Sequence, residues 1–222
     1  MKGVFILGAK MPNTKQRILD AALTLFSTRG YELVTVAEIA DAVGIKAPSL
    51  YKHYKSKQEI YEAITVEMDS RYNDYMSSML MDGKDAQKDG GFYASVDEEG
   101  LVKFGLALFK HYLHDEYASK FRRMLTLAQY ADRNLSDVFV RRYFDEPLKY
   151  LEKTFAMLSG AGRLAPEDPQ VLALHYYAPI FLLLSLCDRH PEMEQDAIKM
   201  KERHIRQFIR AYGNGSNPEQ PD

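Results

Sequence analysis

The stretch Thr35-Val-Ala-Glu-Ile-Ala-Asp-Ala-Val-Gly44-Ile-Lys46-Ala-Pro48-Ser-Leu-Tyr-Lys-His-Tyr54 decides the reading of this chain. Thr35 with Glu38 three residues on forms a Thr-x-x-Glu capping box, which opens a helix by satisfying its first N–H groups. Val36, Ile39, Ala40 and Val43 give that helix one apolar face. Gly44 ends it, because glycine enters a left-handed turn without steric cost. Pro48 suits the first turn of a second short helix, where its missing N–H is not needed. This second helix runs to about Tyr54. Two short helices joined by a tight turn at Val43-Gly44-Ile45 make a helix-turn-helix pattern, whose second helix enters the DNA major groove. Its outward groups, Lys46, Ser49, Tyr51, Lys52 and His53, suit phosphates and base edges. Thr35 and Lys57 sit at helix N-termini, where a backbone phosphate is favoured. A generic three-helix bundle with a solvated polar face is the alternative.

Outward from this motif, helical periodicity continues. Ile18, Ala21, Ala22, Leu25 and Phe26 mark a helix over 14–29, capped by Asn13 and stopped by Gly30. Ser56 and Glu59 form a further capping box that opens a long helix reaching about Leu80. Residues 82–100, with Gly83, Gly90, Gly91 and Gly100 among charges, read as a loop. Helices are expected at about 97–115, 117–131 and 135–159, the last kinked by Pro147. Two more are expected at about 169–188 and 191–212. The fold class is therefore all-α, with a helix-turn-helix domain at 12–58 and a larger helical domain at 59–213. Residues 1–11 and 214–222 read as flexible, Gly213 included, and Met11 is an alternative start.

Net charge is −2, yet residues 1–60 carry nine Lys or Arg against five acids, so the remainder carries −6. A basic head on an acidic body suits a head that meets phosphates. The single cysteine, Cys187, excludes an intrachain disulfide and a Cys-based structural zinc site. Its apolar neighbours predict a buried, unreactive thiol. Val4–Ala9 is too short for a signal segment, and the apolar run Ala178–Cys187 is shorter than a bilayer span. A cytoplasmic location without a membrane is expected.

Many spaced residues make 14–64 resemble the DNA-binding region of the tetracycline-repressor (TetR/AcrR) family. They are Arg17-Ile18-Leu19-Asp20-Ala21-Ala22, Leu25-Phe26, Arg29-Gly30-Tyr31, Thr35, Ile39-Ala40, Val43-Gly44, Leu50-Tyr51, His53-Tyr54 and Ser56-Lys57-Gln58-Glu59. The resemblance implies an all-helical dimeric regulator, usually a repressor released from a palindromic operator by a small hydrophobic or amphipathic effector. It places DNA contacts on Thr35, Lys46, Ala47, Ser49, Tyr51, Lys52, His53 and Lys57. It assigns dimerisation to 169–212, and transmission to the helix that begins at Lys57. Two residues depart from the family pattern: Lys46 stands where a capping Ser or Thr is common, and Pro48 where a small residue is.

The larger domain carries weaker signals. One stripe of the helix at 169–188 holds Val171, Leu174, Ala178, Leu182 and Ser185, and a second face holds Tyr177, Ile180, Phe181 and Leu184. A helix apolar on most sides is buried on most sides, by a partner subunit or by its own core. Ligand-lining candidates are Phe104, Leu108, His111, Met124, Leu127, Tyr130 and Tyr177, all of which equally suit an ordinary core. His111, His114 and Asp115 have one-face spacing but no accompanying ligand motif, so they read as surface or hydrogen-bonded groups rather than a metal site. Arg122-Arg123 and Arg141-Arg142 read as solvated helix faces, with an anionic ligand as the alternative. No motif calls for a cofactor, and none of the common catalytic signatures occurs, so an enzyme with an incidental helical head is disfavoured. A helical adaptor that binds DNA non-specifically is disfavoured by the pI of about 6.3.

Overall fold

The computed structural model describes residues 13–130 and 133–214. The flexibility expected for 1–11 and for 215–222 falls outside them. The elements in chain order are α1 (Thr14–Arg29), α2 (Val36–Val43), α3 (Ala47–Leu50), α4 (Lys57–Ser78), α5 (Ala86–Ser95), α6 (Glu98–His114), α7 (Glu116–Ala128), α8 (Arg133–Val140), α9 (Glu146–Gly160), α10 (Pro169–Arg189) and α11 (Glu194–Tyr212). A π-helical turn over Arg141–Asp145 joins α8 to α9. Among the described residues there is no named strand, and one isolated bridge pairs Leu164 with Gly213.

Local chemistry explains most boundaries. Asn13 accepts the Gln16 N–H at 2.9 Å, Ser56 accepts that of Glu59 at 3.0 Å, and Asp115 accepts that of Ala118 at 2.7 Å. Each satisfies a donor that a helix start leaves unpaired. At Ser56 the box is incomplete, because the Glu59 carboxylate takes the Lys55 N–H instead.

Three expectations are corrected. Residues 82–100 are not a loop, since α5 occupies 86–95. Its Asp89 is buried and accepts the N–H groups of Asp82 (2.6 Å) and Gly83 (2.8 Å) and the Tyr150 hydroxyl (2.7 Å). Gly90, read as a breaker, lies where a Cβ would come 3.0 Å from Met157 Sδ, so its small size lets α5 approach α9. The expected 135–159 helix is three pieces, and the π turn takes up the irregularity ahead of Pro147. Gly213 and Asn214 are held: Asn214 donates to the Arg163 and Leu164 carbonyls at 3.0 and 2.9 Å.

One hydrophobic core runs from Ile18 of α1 through Ile39, Leu50 and Ile64 to Phe121, Met124 and Phe139. The head is therefore packed onto the body without a break. α1 lies along α7, with Lys120 donating to the Thr24 hydroxyl at 2.8 Å and Tyr117 to the Ile64 carbonyl at 3.2 Å. Two smaller cores lie around Phe109 and Leu184, and around Phe155, Leu172 and Phe208.

The paired arginines are also not solvated as pairs. Arg122 is fully buried and meets Asp188 through Nε and Nη2 at 2.5 and 2.7 Å, while Nη1 donates to the Tyr112 carbonyl at 3.0 Å. This clamps α7 to the end of α10. Arg142 turns inward to Asp69 of α4. The π turn, which shifts side-chain register relative to an α-helix, carries Arg142 and the buried Tyr143.

Candidate DNA-binding interface

Gly44 adopts φ 75° and ψ 33°, and the Ile45 N–H closes on the Ala40 carbonyl at 3.0 Å. This left-handed residue sets the crossing of α2 and α3. Arg17 of α1 donates to the Val43 carbonyl at 2.5 Å and so caps α2 at its C-terminal end. Lys46 offers no side-chain cap, yet its carbonyl still accepts the Ser49 and Leu50 N–H groups at 2.8 and 3.2 Å. With Pro48 in the first turn needing no acceptor, α3 forms without the Ser or Thr common at that position. Regular helix ends at Leu50, and turn hydrogen bonds carry the chain on to Tyr54. Leu50, fully buried, anchors α3.

Around that anchor Lys46, Pro48, Tyr51 and Lys52 are exposed, while Ala47, Ser49 and His53 are half-buried. Ala47 packs against the core. Lys46, Tyr51 and Lys52 thus present two ammonium groups and a phenol on one short element. Thr35 caps α2: its hydroxyl and its N–H both go to the Glu38 carboxylate at 2.8 Å. The Thr35 N–H, helped by Arg29 at 2.7 Å, holds that carboxylate down at a pKa of about 2. Lys57 is tied inward. It donates to the Tyr31 carbonyl at 2.8 Å and lies 4.2 Å from the centre of the Tyr31 ring. Its charge therefore sits at the seam between the α1–α2 connection and α4.

Of the seven ligand-lining candidates, Phe104, Leu108 and His111 share α6, and the other four lie outside it. Met124 is in the main core, whereas Leu127 and Tyr130 are exposed, Tyr130 by 93%. Phe104 packs on Phe92 of α5, and His111 stacks on Tyr75 of α4 at 3.5 Å. Tyr177 faces Phe181. The interior groups that sequence reasoning missed are Tyr72, Tyr112 and Tyr143, which the π turn and the packing of α4 bring beside Arg142. His114 meets Glu194 at 2.9 Å and Asp115 caps α7, so His111, His114 and Asp115 serve three separate contacts. Among the described residues no group of three or more possible metal ligands occurs. Cys187 is buried, and burial pushes its thiol pKa up.

Part of the exposed apolar surface forms a stripe on α10. Val171, Leu174 and Leu182 are 45, 53 and 66% exposed. By length and composition α10 is also apolar enough to span a bilayer, a property the shorter run Ala178–Cys187 did not suggest. Its opposite side, with Leu172, Ala173, Leu183, Leu184 and Cys187, is buried in the body.

Fold and interface together define a helix-turn-helix head carried on an all-helical body. The family model described as bacterial regulatory proteins, tetR family, matches residues 18–64, about a fifth of the chain. It is similar to the biofilm operon icaADBC negative transcriptional regulator IcaR of Staphylococcus epidermidis. Identity there is 37% over 79 residues, which are 36% of this chain and 41% of that protein. With IcaR of Staphylococcus aureus it shares 52% over 48 residues, 22% of this chain and 26% of that one. The matches thus span less than half the length of these relatives. Over the whole fold, the chain is similar to the SmeT–triclosan complex, with TM-score 0.70, 21% identity, and 95% of this chain and 100% of that one covered. It is also similar to NalD, the secondary repressor of the MexAB-OprM multidrug efflux pump in Pseudomonas aeruginosa. There the TM-score is 0.59 and the identity 20%, over 92% of this chain and 97% of that one. At such identities the likeness establishes the fold.

Proposed function

We propose that the chain is a DNA-binding transcriptional regulator, most simply a cytoplasmic repressor released from its operator by a small hydrophobic or amphipathic effector, and not an enzyme. One observation carries the reading: α3 is anchored by buried Leu50 while Lys46, Tyr51 and Lys52 project from a head with the charge and sequence of a tetR-family reading domain. Residues 12–58 read DNA, with Lys46, Ala47, Ser49, Tyr51, Lys52 and His53 in the groove and Thr35 and Lys57 on the backbone. Residues 59–213 receive the effector and pair two subunits through 169–212. The exposed Val171–Leu174–Leu182 stripe supports this pairing, because a two-fold dimer buries such a surface and matches paired half-sites roughly 34 Å apart. Effector binding in the body is transmitted by α4, which begins at Lys57 beside the head, and by α7, along which α1 lies.

The test is fluorescence-anisotropy binding to the DNA upstream of the chain's own gene, against a scrambled control across a salt series. Binding about a hundredfold tighter to the upstream fragment, roughly 2.7 kcal/mol, supports an autoregulating operator binder. Lys52→Ala lowers the salt slope by about one. Equal, weak binding to both fragments, with a salt slope that Lys52→Ala leaves unmoved, refutes this reading of α3.

A further inference from the structure

A cleft of about 630 Å³ lies at the C-terminal end of α4, lined among others by Asn73, Ser77, Leu80, Met81 and Lys84. Asp69, one turn before Asn73 on the same face of α4, stands beside it. Its Oδ1 is shared by two cations: Arg142 of the π turn, and Lys84 at 3.9 Å. Both also flank one ring, with Lys84 Nζ 5.6 Å and the Arg142 guanidinium 5.8 Å from the centre of Tyr72. Phe121 lies 5.9 Å from the same guanidinium. The acids of the cleft wall are already supplied with donors. Asp82 receives Lys88 and two backbone N–H groups, and Asp89 receives two N–H groups and the Tyr150 hydroxyl. Arg142 is different: its Nη2 is buried and has no hydrogen-bond partner among the described residues. A charged donor withdrawn from water and left unpaired is costly, and an anionic oxygen is the acceptor that best relieves it.

We propose that Arg142 and Lys84 form an anion-binding subsite at the Asp69 end of this cleft, and that the effector is an amphipathic organic anion, a carboxylate on an apolar body. This rests on the reading of the body as the effector-receiving domain. The ligand carboxylate accepts from Arg142 Nη2 and from Lys84, while its apolar part lies along Leu80 and Met81. Asp69, with a side chain 43% exposed, is then in competition for the same cations and can turn to water. Its release unfastens α4 from the segment between α8 and α9, and α4 is the helix that begins beside the reading head.

Isothermal titration calorimetry at about pH 7.5 with decanoate, decanol and decylammonium tests this. Decanoate is expected to bind at least about tenfold more tightly than either chain-matched probe. Arg142→Gln, confirmed folded by circular dichroism, abolishes that preference, and Lys84→Gln, at an exposed position, reduces it several-fold. Asp69→Asn, by removing the competing carboxylate, tightens decanoate binding. Absent decanoate binding, equal binding of decanol, or a preference that survives both cation substitutions overturns the proposal. Anisotropy on the upstream DNA with the same samples separates the two readings: intact specific DNA binding without a carboxylate preference sinks only the subsite.

Discussion

Asp188→Ala is the perturbation with the sharpest expected effect on the body. Arg122 exposes only 2% of its side chain and Asp188 13%. Two short charge-assisted bonds, at 2.5 and 2.7 Å, join them, and the Tyr112 carbonyl supplies a third contact at 3.0 Å. Removing the carboxylate leaves a guanidinium in the interior with one neutral acceptor. Breaking a buried pair on one side costs about 3–5 kcal/mol, mostly through the stranded charge. At roughly 2–4 °C per kcal/mol for a chain of this size, the expected loss is about 6–20 °C in Tm. Thermal unfolding followed by circular dichroism at fixed protein concentration reads it. The double replacement Arg122→Met with Asp188→Leu removes both charges and restores most of the loss, because an apolar pair of similar volume strands nothing. A single-variant cost below about 1 kcal/mol, or a double variant as unstable as the single, refutes the argument that the stranded charge dominates. The clamp also joins α7, which carries α1, to α10, which carries the exposed stripe. On the proposed function, a folded single variant is therefore expected to lose effector response before specific DNA binding.

Three further outcomes follow from other sites. Burial pulls the Lys201 ammonium from 10.5 down to about 7, so between these values the unfolded chain holds the extra proton and stability rises with pH. Melts from about pH 7 to about pH 9.5, below the phenol range, should gain on the order of 3 kcal/mol; Lys201→Met should raise Tm at neutral pH and flatten that rise, and an unchanged slope removes Lys201 as its source. Gly44→Ala places a Cβ in open space at φ 75°, so its cost is backbone strain alone, about 1–2 kcal/mol, measurable by urea unfolding; a neutral effect contradicts the left-handed turn. If the proposed pairing through α10 holds, Leu182→Asp on the exposed stripe should give a monomer in light scattering and sharply weaken palindrome binding; a dimer that persists in this variant moves the interface elsewhere.

Much of the head was legible because its signals are local. Asn13, Thr35 and Ser56 act on N–H groups three residues away, Gly44 acts on its own dihedral angles, and Ile18, Ile39 and Leu50 face one core at helical spacing. The departure at Lys46 was legible too, and the closure of α3 by backbone alone explains why it is tolerated. Residues 82–100 misled because glycine means two things: a chain break, or, at Gly90, a close approach to another helix. Nothing within α5 distinguishes these, since Met157 of α9 lies 67 positions away.

The sequence by itself determined the helical class, the helix-turn-helix register and the exposure of Lys46, Tyr51 and Lys52 around α3, though not the half-burial of Ser49 and His53, because periodicity, caps and turn glycines are written within a few residues. Only the tertiary structure decided which charges are interior. Arg122 and Arg142 each sit in a polar dipeptide that looks solvated, yet one is enclosed by Asp188 across 66 positions and the other reaches Asp69 across 73. Lys201 lies on the buried face of an otherwise polar helix. Burial is a property of what packs against a face, and the packing partners come from distant parts of the chain. The exposed α10 stripe shows the converse: its apolar pattern announced a buried helix, while the fold leaves Val171, Leu174 and Leu182 exposed.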